Sequence, residues 1–447
     1  MTGTRRWSDL AGRAMTWLTG GALALNLLLV LGLLALLFWN GAGYFWPRPV
    51  VLLTLADRTR VMGEIDDREP IPAIGPQAAT AWRIKVKAGN RDLGGEEFKW
   101  IDEASIVSRS RPQNAIVLER VEWGNFYGLL AGRSADGTLV IETAGGERKE
   151  IPGAKIVREV HPNALSVWGK TGVYASRLRE FLLDDPRESN TEGGIFPAIF
   201  GTVMMVFLMS FAVLPLGVLA ALYMREYARQ GPTVRVVRVA VNNLAGVPSI
   251  VFGVFGLGFF VYGVGGAIDR VFFADALPTP TFGTGGILWA ALTLALLTVP
   301  VVIVATEEGL AAVPRGVREG SLALGATKIE TIVKVVLPAA APGILTGMIL
   351  AMARAAGEVA PLMIVGMVKL APALPVDGTA PYAHLERKFM HLGFHIYDVG
   401  FQSPNVEATK PLVFATALLL IAVVTVVNLA AIALRNRLRR KYTSSAV

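Results

Sequence analysis

The sequence predicts an α-helical membrane protein with six transmembrane helices and a β-rich domain inserted after the first helix. Hydrophobic residues make up 53% of the 447 residues and charged residues only 17%, which is less charge than a soluble domain usually carries. Six apolar stretches are long enough to cross a bilayer. The segment between the first two has nearly balanced charge and short alternating runs, which are typical of strands.

The six apolar stretches cover residues 17–39, 195–224, 239–264, 286–306, 337–368 and 412–434. Arg5, Arg6 and Arg13 precede the first, as basic residues precede the apolar core of a signal sequence. Its run of about twenty apolar residues is long for a signal sequence, and no clear small-x-small cleavage site follows it. We therefore expect this stretch to be retained as a membrane span.

Basic residues fall in alternate connections, and this pattern predicts the orientation in the membrane. They precede the first span, join the second to the third and the fourth to the fifth, and follow the sixth. The residues are Arg5, Arg6, Arg13, Arg225, Arg229, Arg235, Arg238, Arg315, Arg318, Lys328, Lys334, Arg435, Arg437, Arg439, Arg440 and Lys441. Because basic loops remain on the cytoplasmic side, both termini are expected in the cytoplasm and residues 41–194 outside. The net charge of +8 therefore indicates topology and not a nucleic acid partner.

Three regions follow along the chain. Residues 1–40 hold the cytoplasmic N-terminus and the first span, residues 41–194 the β-rich domain, and residues 195–447 the other spans. The middle region contains a faint repeat, whose copies read RIKVKAGNRDLGGEEFKWIDEASIVSRSRP and TLVIETAGGERKEIPGAKIVREVHP. We interpret it as two small β units, of the SH3-like barrel type, followed by an amphipathic helix near residues 165–183. With no catalytic constellation in it, an interaction or spacer role is expected.

No nucleotide-binding site is expected in this chain. Gly169-Lys170-Thr171 matches the end of a phosphate-binding P-loop, but the glycine required five residues before Gly169 is Ala164. The chain also lacks cysteine, which excludes disulfides and thiol chemistry.

No metal site is expected either. His384, His391 and His395 precede the last span, and two of them are four residues apart. A metal site needs a third ligand with suitable geometry, so we expect solvated histidines on a helix at the outer face.

The connection at residues 307–338 predicts two short helices joined by a glycine turn. Glu319-Gly320-Ser321 lies in the first helix, Gly325 supplies the left-handed turn, and Pro338 can open the next span at its first turn. In the second helix, apolar residues recur at helical intervals on one face. They are Ile329, Ile332, Val333 and Val336.

This layout resembles the EAA loop of importer-type ABC permeases, which docks into an ATPase subunit. The resemblance implies that ATP and Mg²⁺ bind to a partner ATPase and that this chain binds no cofactor and is no enzyme by itself. The residues that match the loop are Glu319, Gly320, Ser321, Gly325, Leu337 and Pro338. Gly320 and Ser321 stand where alanines are usual, and both are small.

Within the membrane, Arg354 and Glu358 are the candidate substrate-path residues. Arg354 follows Pro338 by sixteen residues, roughly 24 Å along a helix, where a charge needs a partner or a watery cavity. Glu358 is four residues further on, within reach of an ion pair on the same helical face. Two interpretations remain open: a structural pair that locks helices together, and an arginine that lines an anion path. A guanidinium fork suits a tetrahedral oxyanion.

Two further runs resemble the A-type permease of phosphate-specific ABC importers. One is Glu226-Tyr227-Ala228 followed by NLAGVPSIV at residues 243–251, and the other is ARAAGEVAPL at residues 353–362. The resemblance covers about residues 195–434, and residues 41–194 resemble the extended amino-terminal region of some bacterial members. It implies the type I ABC importer permease fold and import of inorganic phosphate across the bacterial inner membrane. The implied partners are a homologous second permease subunit, a dimeric ATP-binding subunit and a periplasmic phosphate-binding protein.

Two alternatives remain. A permease for another oxyanion, such as molybdate or sulfate, would also suit Arg354, although the NLAGVPSIV run favours phosphate. A membrane sensor, whose outer β domain binds a ligand or a protein, belongs to a different class.

Overall fold

The computed structural model describes residues 3–71, 81–94, 96–403 and 406–443. The chain forms two compact units, one over Ala42–Phe196 and one that combines the first helix with the chain from Pro197 onward. The first helix, α1, runs over Gly3–Ala42. Its apolar residues, such as Leu28 and Trp39, are largely exposed, and its last turns pack through Leu37 and through Gly41, which lies against Ala415.

The unit over Ala42–Phe196 contains two five-stranded antiparallel sheets. The first consists of β1 (Val50–Leu55), β2 (Arg60–Pro70), β3 (Trp82–Lys87), β4 (Phe98–Asp102) and β5 (Ile106–Ser110), with the short helix α2 (Arg91–Gly94) before β4. The second consists of β6 (Ala115–Arg120), β7 (Asn125–Arg133), β8 (Leu139–Glu142), β9 (Arg148–Ile151) and β10 (Ile156–Val160). Their strand orders are β4-β3-β2-β1-β5 and β10-β6-β7-β8-β9.

The two sheets have the same topology. In each, four strands follow one another as a meander, and a 3₁₀ turn leads into a fifth strand that pairs with the first. The two copies of the sequence repeat fall on β3–β5 and on β8–β10. Each sheet buries alternate side chains in its own core, as the strand periodicity of two requires; examples are Leu53 and Ile84 in the first and Leu118 and Ile141 in the second.

An ion-pair network fastens the helix that follows the sheets, α3 (Val167–Leu183), to the second sheet. Arg158 of β10 pairs with Glu119 of β6 and, at 2.6 Å, with Glu180 of α3. Arg177 of α3 lies 2.6 Å from Glu119, and Arg187 lies 2.5 Å from Glu180. We call these five residues the α3 network. Arg187 belongs to a final two-stranded ribbon, β11 (Pro186–Arg187) and β12 (Glu192–Gly193).

The other unit is helical. Its helices are α4 (Phe196–Leu222), α5 (Pro232–Leu244), α6 (Ser249–Phe255), α7 (Gly266–Phe272), α8 (Ile287–Ala312), α9 (Arg315–Ala323), α10 (Lys328–Thr331), α11 (Leu337–Gly357), α12 (Ala360–Val365), α13 (Leu392–Tyr397) and α14 (Val406–Thr443). π-helical segments follow α4 (Tyr223–Tyr227), α6 (Gly256–Gly265), α10 (Ile332–Val336) and α13 (Asp398–Gln402).

Within the described residues, six helical stretches are long and apolar enough to cross a membrane, as predicted. They are Met15–Phe45, Phe196–Tyr227, Ser249–Phe272, Ile287–Ala312, Lys328–Gly357 and Thr409–Arg440.

Two predicted spans have wrong boundaries. The third was expected from residue 239, but α5 ends at Leu244 and the span begins at Ser249, because Pro248 disfavours the helical conformation in the residue before it. The fifth was expected to continue to residue 368, but α11 ends at Gly357. Pro361 explains this end, since its ring would collide in a continuous helix with the carbonyl four residues earlier, which is that of Gly357.

The connection at residues 366–391 folds back onto the start of α8. The amides of Gly286, Ile287 and Leu288 donate to the carbonyls of Val365, Arg387 and Leu385 at 2.9–3.1 Å. Within the connection, the Asp377 carboxylate accepts hydrogen bonds from Thr379 and Arg387 and lies 3.2 Å from His384 Nε2.

The expectation of solvated histidines is wrong. His384, His391 and His395 are 7%, 1% and 2% exposed, because the chain before α14 folds onto the helices instead of projecting into solvent. His391 caps α13, where its Nδ1 accepts from the Gly393 amide. Among the described residues, no group of three metal-binding side chains comes together.

Candidate functional site

The segment from α9 to the start of α11 is built as a compact helical hairpin, which we call the coupling segment (residues 315–338). Gly325 joins α9 to α10 at φ +89°, in the left-handed region that strains residues with a Cβ. Across the turn, the Ser321 and Thr331 hydroxyls lie 2.9 Å apart. Thr327 and Glu330 form a capping box at the start of α10, which satisfies amides that the helix itself cannot pair.

The hairpin exposes apolar side chains along both of its helical arms and at the turn between them. Val317, Leu322, Leu324, Ile329 and Val333 are 42%, 48%, 92%, 63% and 55% exposed, and we call these residues the coupling face. Exposed apolar groups that cluster in this way mark a surface that another protein covers. The hairpin therefore offers exposed apolar surface, and docking of an ATPase subunit to it stays a prediction.

The four apolar residues predicted on one face of the second helix separate in the structure. Ile329 and Val333 are exposed, whereas Ile332 and Val336 are buried. The π-helical segment at Ile332–Val336 changes the residues per turn, so the ordinary helical period does not hold there.

The predicted coupling residues also divide into two groups. Glu319 and Gly320 are exposed on α9, and Ser321 and Gly325 shape the turn. Leu337 and Pro338 lie instead at the base, where Leu337 packs against the buried cluster that contains Leu310 and Val313.

Arg318 and Lys328, two of the basic residues that predict the topology, attach the coupling segment to Glu226. Arg318 Nη2 lies 3.1 Å from the Glu226 carboxylate, and Lys328 Nζ donates to the Glu226 carbonyl at 2.5 Å. These partners are 92 and 102 residues apart in the sequence. Local patterning carries no signal for such a contact.

A second ion pair joins α5 to α8. Arg238 donates to both oxygens of Glu307 at 2.8 and 3.1 Å, a bidentate geometry that fixes both side chains. Glu307 lies inside α8, which continues beyond it to Ala312.

Arg354 and Glu358 come together as predicted, with Arg354 Nε and Glu358 Oε1 3.7 Å apart. The helix, however, ends between them, because Arg354 lies in the last turn of α11 and Glu358 is the first extended residue after it. A cation in the last turn is favoured by the helix dipole. At 3.7 Å the contact is an ion pair and not a hydrogen bond, so the Nε–H is not committed to Glu358.

The Arg354 side chain is 35% exposed and that of Glu358 is 21% exposed. Within this chain, the pair is therefore open on one side at the helix break. A charge in this position is accessible to an anion or to a neighbouring protein.

Comparisons with known proteins bear on these sites. Residues 213–441 match the family described as binding-protein-dependent transport system inner membrane component. The probable ABC transporter permease protein YqgI of Bacillus subtilis is 32% identical over 259 residues, which cover 57% of this chain and 81% of that protein.

Two proteins described as phosphate transport system permeases are also similar. PstA of Mycobacterium leprae is 38% identical over 172 residues, which cover 38% of this chain and 51% of that protein. The probable PstA of Methanocaldococcus jannaschii is 37% identical over 189 residues, which cover 42% of this chain and 60% of that protein. The chain thus spans about half to three fifths of the length of these two relatives.

These similarities confirm the resemblance that the NLAGVPSIV and ARAAGEVAPL runs predicted. The six spans, the coupling segment and the matched residues agree with one another. The chain therefore belongs to the binding-protein-dependent transport system inner membrane component family, and it has the type I ABC importer permease fold with a β-rich unit inserted after the first span.

Proposed function

We propose that this chain is a permease subunit of an ATP-driven importer that moves inorganic phosphate across the bacterial inner membrane. The observation that carries the proposal is the 37–38% identity to two proteins described as phosphate transport system permeases. The position of Arg354, partly exposed where α11 breaks, supports an anion as the transported species.

Arg354 is proposed to line the substrate path, with Glu358 as its counter-charge. A guanidinium presents several N–H donors in a plane, and two of them can bind two oxygens of one tetrahedral oxyanion. The nearby carboxylate reduces the net attraction, so an anion that binds can also leave. An anion can therefore both bind at this position and leave it, as transport requires.

The coupling face is proposed to dock a dimeric ATP-binding subunit, which binds ATP and Mg²⁺. A homologous second permease would complete the membrane path, and a periplasmic phosphate-binding protein would deliver the substrate. This chain then needs no cofactor of its own.

Both termini and the coupling segment are proposed to lie in the cytoplasm, and the β-rich unit outside. The distribution of basic residues supports this orientation. Since the chain has no cysteine, single cysteines can report it directly. A membrane-impermeant maleimide should label Ser134→Cys in intact spheroplasts and Leu324→Cys only after permeabilisation; the reverse pattern would overturn the orientation.

The transport proposal is tested in liposomes that contain the ATPase, both permeases and the binding protein. Uptake of labelled phosphate that depends on ATP, with no comparable uptake of sulfate or molybdate, is the expected result. Preferential uptake of either other oxyanion would reassign the substrate. No uptake, combined with ligand binding to the β-rich unit, would favour a sensor.

A further inference from the structure

Glu226 connects the coupling segment to the end of the second span, and we propose that it is a positioning residue for energy coupling. In this role it fixes the segment to α4, so that a displacement imposed by the ATPase reaches the membrane helices. The inference rests on the proposed transport function. It concerns a residue of the Glu226-Tyr227-Ala228 run, to which the docking and substrate-path assignments give no role.

Arg318 joins three elements at this point. Its Nη2 lies 3.1 Å from the Glu226 carboxylate and donates to the Leu310 carbonyl at 2.7 Å, while its Nη1 donates to the Val313 carbonyl at 2.6 Å. Leu310 and Val313 lie at the C-terminal end of α8, whose last carbonyls have no partner within the helix. One guanidinium from α9 therefore ties the end of α8 to the end of α4.

Lys328 makes the second attachment, from the other helix of the hairpin. Its Nζ donates to the Glu226 carbonyl at 2.5 Å and lies 4.5 Å from the centre of the Tyr227 ring, within the range of a cation–π contact. Helices α9 and α10 thus both attach to Glu226, and α10 also contacts Tyr227. We call this set (Glu226, Tyr227, Arg318 and Lys328) the Glu226 clamp.

Within the clamp, the contact between Glu226 and Arg318 is largely shielded from solvent, and Glu226 lies in a π-helical segment. The Glu226 and Arg318 side chains are 15% and 20% exposed, so their contact is stronger than an ordinary surface ion pair. Glu226 itself lies in the π-helical segment Tyr223–Tyr227, a geometry that occurs often at functional positions. The Glu226 carboxylate receives Arg318 of α9 and the Glu226 backbone carbonyl receives Lys328 of α10, so this one residue holds both helices of the hairpin.

The test compares Glu226→Gln with Glu307→Gln in the reconstituted transporter. Glu307 is a matched control, because its pair with Arg238 has the same carboxylate exposure of 15% and joins α5 to α8 without touching the coupling segment. We expect Glu226→Gln to lower the phosphate taken up per ATP hydrolysed about tenfold, the factor expected for the loss of one charge-assisted hydrogen bond. Glu307→Gln should leave this ratio within about twofold of the parent, since it leaves the segment attached.

A bridged pair keeps the test decisive if the glutamine variant assembles poorly. In the cysteine-free chain, Glu226→Cys with Arg318→Cys can be joined by a flexible bis-maleimide. Bridging should restore the ratio that the unbridged pair has lost. An unchanged ratio in Glu226→Gln, or no recovery on bridging, would overturn the role of the clamp.

Failure of the proposed function has a different signature. If the parent complex takes up no phosphate, the transport assignment is wrong, but the clamp can still be measured by hydrogen exchange. Amide exchange over residues 323–331 should become faster in Glu226→Gln and not in Glu307→Gln. Equal exchange in the two variants would overturn the clamp independently of transport.

Discussion

The two units of the chain use charged side chains differently to fasten their helices. In the β-rich unit, the α3 network links five charged residues that are close in space, and each of their side chains is less than a quarter exposed. In the helical unit, Glu226–Arg318 and Arg238–Glu307 are separate pairs that join segments 92 and 69 residues apart. The network therefore fastens α3 through several linked contacts, whereas separate pairs hold the helices of the other unit at a few defined points.

The exposure of apolar side chains also differs between the two units. The sheets have continuous apolar cores, with Ile116, Leu118 and Phe126 fully buried, and leave some apolar side chains, such as Trp100 and Val107, at the surface. The helical unit leaves residues such as Phe211 and Leu219 exposed on its second span. Lipid covers such side chains without cost, and this contrast shows which unit is built for water and which for the bilayer.

Substituting Arg354 should have the largest effect if the helical unit carries the substrate. Arg354→Gln removes the charge at the α11 break and should abolish phosphate uptake while ATPase binding persists. Arg354→Lys keeps the charge but loses the planar fork, so it should retain part of the uptake. Full uptake by Arg354→Gln would remove this residue from the substrate path.

The double substitution Arg354→Glu with Glu358→Arg separates the two interpretations of the pair. The swap places a carboxylate in the last turn of α11, where the helix dipole disfavours it, so the pair has a preferred direction. We expect assembly without uptake. Recovery of uptake by the swap would assign the pair a purely structural role.

Gly325→Val should reduce uptake strongly and still leave the protein inserted in the membrane. A Cβ at this position meets no atom within 4 Å, so the effect arises from the backbone, at about 1–2 kcal/mol for a left-handed residue. Gly325→Asn is the matched control, because asparagine tolerates this conformation and should be milder. Uptake is measured with purified variants that are equally expressed. Equal uptake by Gly325→Val and Gly325→Asn would argue against docking through this turn.

Arg158→Met tests whether the α3 network stabilises only the β-rich unit and leaves the helical unit unaffected. The substitution leaves Glu119 and Glu180 each with one fewer cation, and we expect the unit to lose about 3 kcal/mol of unfolding free energy. Hydrogen exchange of β6 and β10 measures the loss, while ATP hydrolysis by the assembled complex should stay unchanged. Arg133→Met is the control, because Arg133 is 58% exposed in its pair with Glu159 and should matter little. A parallel loss of ATP hydrolysis would contradict the separation of the two units.

A smaller, pH-dependent effect is expected at Asp92. Burial raises the pKa of this carboxyl, but hydrogen bonds from Arg120 and Lys149 outweigh it and lower the pKa from 3.8 to about 2. Because the folded pKa is the lower one, the stabilisation is complete above pH 3.8 and is lost as the pH falls through about 2. Hydrogen exchange of β6 and β9 between pH 5 and 2 should show this loss in the parent. Asp92→Asn should lack that part of the acid response, and an identical titration would refute the assignment.

The sequence predicts what depends on local patterning. Six long apolar runs and the left-handed Gly325 are consequences of periodicity or of a single residue. Pro338 was expected to open the fifth span, but it lies inside a helical stretch that begins at Lys328. Pro248 and Pro361 carried the signals for the two span boundaries that were placed wrongly, but an apolar run alone does not show where a helix breaks. The burial of His391 and the contact of Arg318 with Glu226 depend on which distant segments meet, and neither leaves a trace in local spacing.

The fold of residues 366–391 bears on how this protein tolerates insertions. A long connection between helices is ordinarily where a tag or an added domain is accepted at little cost. Here, Leu385 and Arg387 supply carbonyls to the first amides of α8, and Val365 supplies another just before the connection begins. Lengthening the chain beside them would leave those amides without acceptors, so this connection is a poor place for a fusion. The turn at Asp136-Gly137, where no atom crowds the glycine, offers a better one.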